Sequence, residues 1–248
     1  MPAGTAIGNA YGWRVAFVCI AVMAVLSVVA VAFTLPGKSS GEEEADAPLA
    51  VQARQLRHQE VWLSYLAIAI IMVGQLAFGT FQVAILVNVT GLDPVNGVPF
   101  YLLIGGAGAV TGIWLGGRLA DWRTGPAIMI IIVGQIVSFA LLLFAVRSPI
   151  LVAPMLFLGS LFGFGLSTPM QMRVLNGARA APRLASTLVS TAYNVGIAAG
   201  AFLGASLLDA GLDYALLPAC GVICSAIAGI VGIVSLRLPQ TSETTQFA

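Results

Sequence analysis

Apolar residues fall into seven long runs divided by short polar gaps: Val15 to Leu35, Val61 to Val87, Pro99 to Gly117, Pro126 to Val146, Pro149 to Met172, Leu184 to Leu208, and Tyr214 to Leu236. Each is close to or longer than the roughly 20 residues that a helix needs to cross a bilayer. None carries a charge at its centre. Lipid cannot hydrogen-bond bare backbone, so such runs predict helices. The first run exceeds the roughly 7–15 apolar residues of a signal peptide and reads as a true span. The one long hydrophilic stretch, Gly37 to Glu60, opens with Gly-Lys-Ser-Ser-Gly-Glu-Glu-Glu, a solvated linker pattern. It then turns into Val51 to His58, where Arg54, Arg57 and His58 beside Val51 and Leu56 predict a short amphipathic helix on the membrane surface. The expected organisation is one span at about 15–35 within 1–36, a linker over 37–60, a six-span bundle over 61–237 and a tail over 238–248.

Charge sets the orientation. With the linker in the cytoplasm, the inner side holds nine basic residues: Lys38, Arg54, Arg57, Arg118, Arg123, Arg173, Arg179, Arg183 and Arg237. The outer side holds two, Arg14 and Arg147, along with Asp93, Asp209 and Asp213. That is the positive-inside bias of a multi-pass protein, here expected in the plasma membrane. The N-terminus then lies outside behind a short lead from Met1 to Arg14, which suggests a chain that begins in the middle of a larger design. Composition agrees with the class. Apolar residues make up 59% and charged residues 8%, against roughly 25% charged in an average soluble domain. A net charge of +1 provides no basic field for a nucleic acid. Cys19, Cys220 and Cys224 lie inside apolar runs and read as small packing residues. The fold class expected is all-α integral membrane with seven transmembrane helices.

Catalytic chemistry finds little support. An intramembrane serine protease needs a base near its serine, and the only histidine is His58 in the linker. No span offers a group of metal ligands. Asp121 is alone in its loop, too little for a metal-dependent lipid phosphotransferase. A retinal protein needs a membrane lysine, and the only lysine is Lys38 in the linker. No catalytic residue, metal or cofactor is therefore expected.

Three features remain. Glycines recur every four residues at Gly108, Gly112 and Gly116, and at Gly196, Gly200 and Gly204. Each triplet shares a helix face and allows close backbone approach, either as static packing or as a smooth face on which two rigid bodies rock. Uncharged polar residues come next. Gln75 and Gln82 are seven apart, on one face with Phe78 between them, and Thr168, Gln171, Tyr193 and Asn194 lie in other spans. These either bond neighbouring helices or line a water-accessible cavity for a mostly apolar small molecule. The third is the loop Gly116 to Gly125, where Gly117, Arg118, Asp121 and Arg123 lie in a tight inner turn. It reads either as ordinary inner charge or as a gating latch in which Asp121 caps a helix or pairs with an arginine in one state only.

At this loop the chain resembles the major facilitator superfamily of transporters. Gly117, Leu119, Ala120 and Asp121 match its inner-loop pattern, while Trp122 stands in place of the arginine and Arg123 is displaced by one. Gly12-Trp13-Arg14 with Phe17 resembles the entry to span six, and Leu184-Ala185-Ser186-Thr187 with Asn194-Val195-Gly196 and Gly200 resembles span eleven. The closest subgroup is the drug:proton antiporters of the arabinose-efflux and chloramphenicol-resistance type. The resemblance implies that the seven runs correspond to spans six to twelve, with the last six forming one half-bundle. It implies proton-coupled efflux of small, largely apolar compounds such as drugs or sugars, with spans seven, eight, ten and eleven lining the cavity. It also implies a coupling carboxylate in a half outside this chain. A seven-span receptor, another non-transporting membrane protein and a half-size protein working as a dimer stay open at this point.

Overall fold

The computed structural model describes Gly8 and residues 11–34, 59–177 and 182–237. The linker's amphipathic helix and the C-terminal tail fall outside those residues. Among the described residues every regular element is helical. In chain order the helices are α1 (Trp13–Thr34), α2 (Gln59–Gly79), α3 (Gln82–Asn88), α4 (Gly97–Trp122), α5 (Thr124–Ala145), α6 (Pro149–Gly165), α7 (Ser167–Gly177), α8 (Pro182–Asp209) and α9 (Pro218–Arg237). A single 3-10 turn, Tyr214–Leu216, precedes α9. Seven helical segments are long and apolar enough to cross a membrane, with α2–α3 and α6–α7 each making one.

Proline opens α6, α8 and α9, where its missing N–H has no intrahelical partner to lose. α8 closes on Gly211 at φ +91°. There the Leu212 N–H donates to the Leu207 carbonyl at 3.0 Å and the Gly211 N–H to the Leu208 carbonyl at 2.9 Å, a helix stop that suits a residue without Cβ.

Two spans are not continuous, which corrects the uninterrupted runs expected from hydropathy. α2 stops at Gly79, and Thr80–Phe81 make a turn before α3. α6 stops at Gly165 and α7 restarts at Ser167. The second break has a plain cause: Pro169 has no N–H for the Gly165 carbonyl and its ring crowds that group. A third correction concerns the inner turn. α4 runs on to Trp122 and α5 starts at Thr124, so Gly117, Arg118 and Asp121 are helical and the turn is reduced to Arg123 in an extended conformation. Pro126 sits in the first turn of α5, where it costs no hydrogen bond, so nothing forces the loop to begin earlier.

The six spans from α2 to α9 pack as a bundle around two clusters. The cluster toward the linker end gathers Val61, Tyr65, Ile68, Ile71, Ile128, Ile132, Met170 and Val189. The other gathers Phe78, Ile85, Leu86, Leu102, Phe139, Leu142, Leu156 and Leu217. Polar ties join the ends. The Tyr65 hydroxyl donates to the Ala185 carbonyl at 3.1 Å, and Arg173 donates to the carbonyl and hydroxyl of Ser235 at 2.8 and 2.9 Å. At the opposite end Thr90 donates to the Val146 carbonyl at 2.7 Å, and Arg147 pairs with Asp213 at 3.5 Å. None of the residues of α1 whose burial is described is buried.

Candidate functional site: an apolar cavity with an amide edge

The glycine rows build the frame. A Cβ added at Gly108, Gly112 or Gly116 would collide with the backbone carbonyls of Phe157, Leu161 and Gly165 respectively. α4 and α6 are therefore in direct backbone contact along three turns. A Cβ at Gly196, Gly200 or Gly204 would lie 2.5, 2.5 and 2.7 Å from the carbonyls of Ala69, Val73 and Ala77, so α8 is pressed against α2 in the same way. Both rows are filled by helices of this chain, which is close packing without a hydrophobic drive. Each of these two rows is occupied along its length, while Gly117 and Gly159 have nothing within 4 Å of an added Cβ. After α1, α4 and α8 are the least buried spans, each held chiefly by its glycine edge.

Where α2 breaks, the bundle is hollow. A cavity of about 210 Å³ lies between α2, α5 and α6, and Gln75, Phe78, Gln82, Phe139, Met155 and Phe164 stand on its wall. The break itself shapes it, since Gly79 ends the helix and Gln82 opens the next one. Phe78 and Phe139 meet edge to face with centroids 5.9 Å apart, a favoured aromatic arrangement. The Gln75 carboxamide lies against Gly163, whose missing Cβ makes the room, and its Oε1 is buried without a hydrogen-bond partner. Three apolar rings, a thioether and two amides form a wall that would hold a mostly apolar solute and orient it through a few polar contacts.

Of the residues singled out from sequence, Gln75, Phe78 and Gln82 come together here. The other four do not. Thr168 is half-buried near the start of α7 and Gln171 is exposed on it. Tyr193 packs against the cluster at the linker end. Asn194 is exposed and donates to the Ser190 carbonyl of its own helix at 2.8 Å. The residues expected to form a gate, Gly117, Arg118, Asp121 and Arg123, lie at the end of α4 and the turn after it, with no ion pair between them among the described residues. Arg118 stacks over the Trp114 ring at 4.5 Å, Asp121 is exposed, and no side chain caps the start of α5. Among the described residues no group of three or more His, Cys, Asp or Glu is placed to hold a metal.

Sequence reading passed over Phe139, Met155 and Phe164, which carry no signal in chains where apolar residues face lipid and core alike, and over Ser160, a small hydroxyl also on the wall. It also passed over Gln135, fully buried on α5 with both side-chain polar atoms unpartnered. The signal was there: a lone amide in an apolar run, as at Gln75.

A profile of the Major Facilitator Superfamily matches residues 1–205. The chain belongs to the Major Facilitator Superfamily. It is 31% identical over 97% of its length to "Inner membrane transport protein YdhP" of Escherichia coli K12, covering 61% of that protein. It is 28% identical over 84% of its length to "Chloramphenicol resistance protein" of Streptomyces lividans, covering 53% of it. Over 78% of its length it is 32% identical to "Probable sugar efflux transporter" of Haemophilus influenzae PittGG, covering 48% of it. The chain thus spans about half to three-fifths of the length of these relatives. Family membership accounts for seven membrane-crossing helices.

Proposed function

We propose that this chain is the C-terminal part of a plasma-membrane transporter that exports small, neutral, largely apolar compounds, with the α2–α5–α6 cavity taking the apolar part of the solute. The observation that carries the reading is the convergence of Gln75, Phe78 and Gln82 with Phe139 and Phe164 on one hollow, in a chain of this superfamily. The relatives' printed names include chloramphenicol resistance and sugar efflux. The wall favours the first kind of solute. A sugar needs hydrogen bonds around its whole rim, and a buried hydroxyl left unpaired is costly. Here Gln75, Gln82 and Ser160 are set among rings and aliphatic carbons, which suits an aromatic solute with one polar end.

Transport would use the rocking of two halves about a midplane site that this kind of transporter employs, with Gly117, Arg118, Asp121 and Arg123 at the inner gate. Proton coupling belongs to the same proposal. The spans carry no acidic side chain between their ends, so the proton-binding group comes from outside them.

The test expresses the complete gene in an efflux-deficient bacterium and measures accumulation of chloramphenicol and of a labelled sugar. Lower chloramphenicol accumulation is expected, abolished by Gln75→Ala and Gln82→Ala and retained in Gln171→Ala. Unchanged accumulation of both solutes refutes transport of these classes. Efflux that survives both amide variants refutes the cavity assignment.

A further inference from the structure

Four buried side-chain polar atoms lack a hydrogen-bond partner among the described residues: Gln75 Oε1, Gln135 Oε1, Gln135 Nε2 and Ser225 Oγ. They come from three different helices that meet close to these residues: α2 touches α9 where Gly74 lies on Cys224, one position before Gln75 on the first helix and before Ser225 on the second. The Gln75 carboxamide lies on Gly163 of α6. The preceding residue of α6, Phe162, lies on Gly134 of α5, which comes just before Gln135. α9 meets α5 twice: Gly221 lies on the Phe139 ring, and Gly229 sits 3.2 Å (from an added Cβ) from Ile132. Those two contacts bracket Ser225 on one helix and Gln135 on the other. Gln135 and Ser225 are 0% and 1% exposed, so neither reaches bulk water or lipid headgroups.

Buried polar groups in native proteins are almost always bonded, and a site that gathers several of them in one place is where internal water is retained, each molecule making about three bonds. We propose that Gln75, Gln135 and Ser225 bind a small cluster of internal water in the middle of the bundle, forming a wet layer next to the apolar cavity. The chemistry selects water over an ion: the groups are neutral amides and a hydroxyl, offering donors and acceptors together, and no carboxylate stands among them. Gln75 belongs to both sites, lining the cavity and ending in the layer. The water site stands independently of what the cavity carries.

X-ray radiolysis tests it, because hydroxyl radicals formed from bound water mark the side chains beside it even when bulk solvent cannot reach them. The purified, detergent-solubilised protein is exposed and mapped by mass spectrometry at Phe139, which is 3% exposed. Wild type is expected to be labelled there, and labelling to be lost in both Gln135→Leu and Ser225→Ala, each first shown to be monodisperse. Absent labelling in the wild type overturns the proposal, whatever the variants do. Labelling unchanged in either variant overturns it too. Wild-type labelling suppressed by sodium chloride and not by N-methylglucamine chloride would assign the site to a cation, and the water proposal would fail.

Discussion

Gly112→Ala measures how tightly α4 is held. The new methyl carbon would collide with the Leu161 carbonyl oxygen and stand 2.8 Å from its carbon, where ordinary contact begins at 3.4 Å. The helices must therefore part by at least the difference, about 0.6 Å. The obstacle is backbone on both sides, so no side chain can swing away to relieve it. A gap of roughly 0.5–1 Å forfeits a quarter to a half of the dispersion energy between facing atoms, and overpacking of this kind typically costs about 1–3 kcal/mol. Alanine also raises helix propensity by up to about 1 kcal/mol, which would mask part of the loss. Gly117→Ala removes the ambiguity. It lies on the same helix with nothing within 4 Å of its added Cβ, so it receives the propensity gain alone. The difference between the two variants isolates packing at about 1–3 kcal/mol. At roughly 2–4 °C per kcal/mol for a chain of this size, 2 kcal/mol puts Gly112→Ala about 4–8 °C below Gly117→Ala. Thermal unfolding in detergent, followed by size-exclusion chromatography after heating, reads this directly. Equal melting temperatures would refute the claim that backbone contact along the glycine row holds α4 to α6.

Tyr65→Phe removes the bond to the Ala185 carbonyl and is expected to lower stability by about 0.6–1.5 kcal/mol in the same thermal assay; an unchanged melting temperature counts against it. Asp213→Asn breaks the pair with Arg147, but the side chains are 74% and 55% exposed, so the loss should stay below about 1 kcal/mol and shrink further in high salt. Asp93 accepts from the Val95 N–H and then from the Asn96 amide, which hold its carboxyl below the ordinary value. A depressed folded value means that these bonds support the loop above the unfolded value and are lost as pH falls through the folded one. Hydrogen exchange over residues 93–97, corrected for intrinsic rate, should therefore accelerate in acid in the wild type and show no such step in Asp93→Asn.

Much of this was legible in the chain. Run length gave seven membrane helices, because a bilayer demands length and backbone saturation whatever the packing. The spacing of Gln75, Phe78 and Gln82 placed them on one face, and they do share a cavity, even though the turn at Thr80–Phe81 falls between the last two. Glycine spacing announced close approach, and the approach is there. Its partner was not legible, since Phe157, Leu161 and Gly165 contribute backbone, and backbone has no sequence signature. The inner turn was drawn too long for a related reason: Gly116 and Gly117 look like a stop, but a helix pressed against a neighbour through Gly116 has every reason to continue. Buried Phe139 could not be told from the exposed phenylalanines Phe100 and Phe202, because in a membrane chain the contrast that separates core from surface is missing.

That missing contrast makes the remaining polar residues informative according to how they are satisfied. Along α8, Thr187 bonds the Arg183 carbonyl, Ser190 that of Ser186, Thr191 that of Thr187 and Asn194 that of Ser190. These side chains are exposed and each is bonded within its own helix. A face of this kind tolerates an apolar neighbour and still offers hydroxyls and an amide to a polar one. Gln135, Ser225 and the Oε1 of Gln75 are the opposite: buried, with no hydrogen-bond partner among the described residues. Packing alone gives no reason to keep two amides and a hydroxyl in an otherwise apolar interior, since apolar groups of the same shape would fill it at no loss. What distinguishes the two sets is therefore who must complete their hydrogen bonds. The α8 stripe completes its own, and the buried layer needs an occupant, which is why the layer rather than the stripe carries the argument for a site.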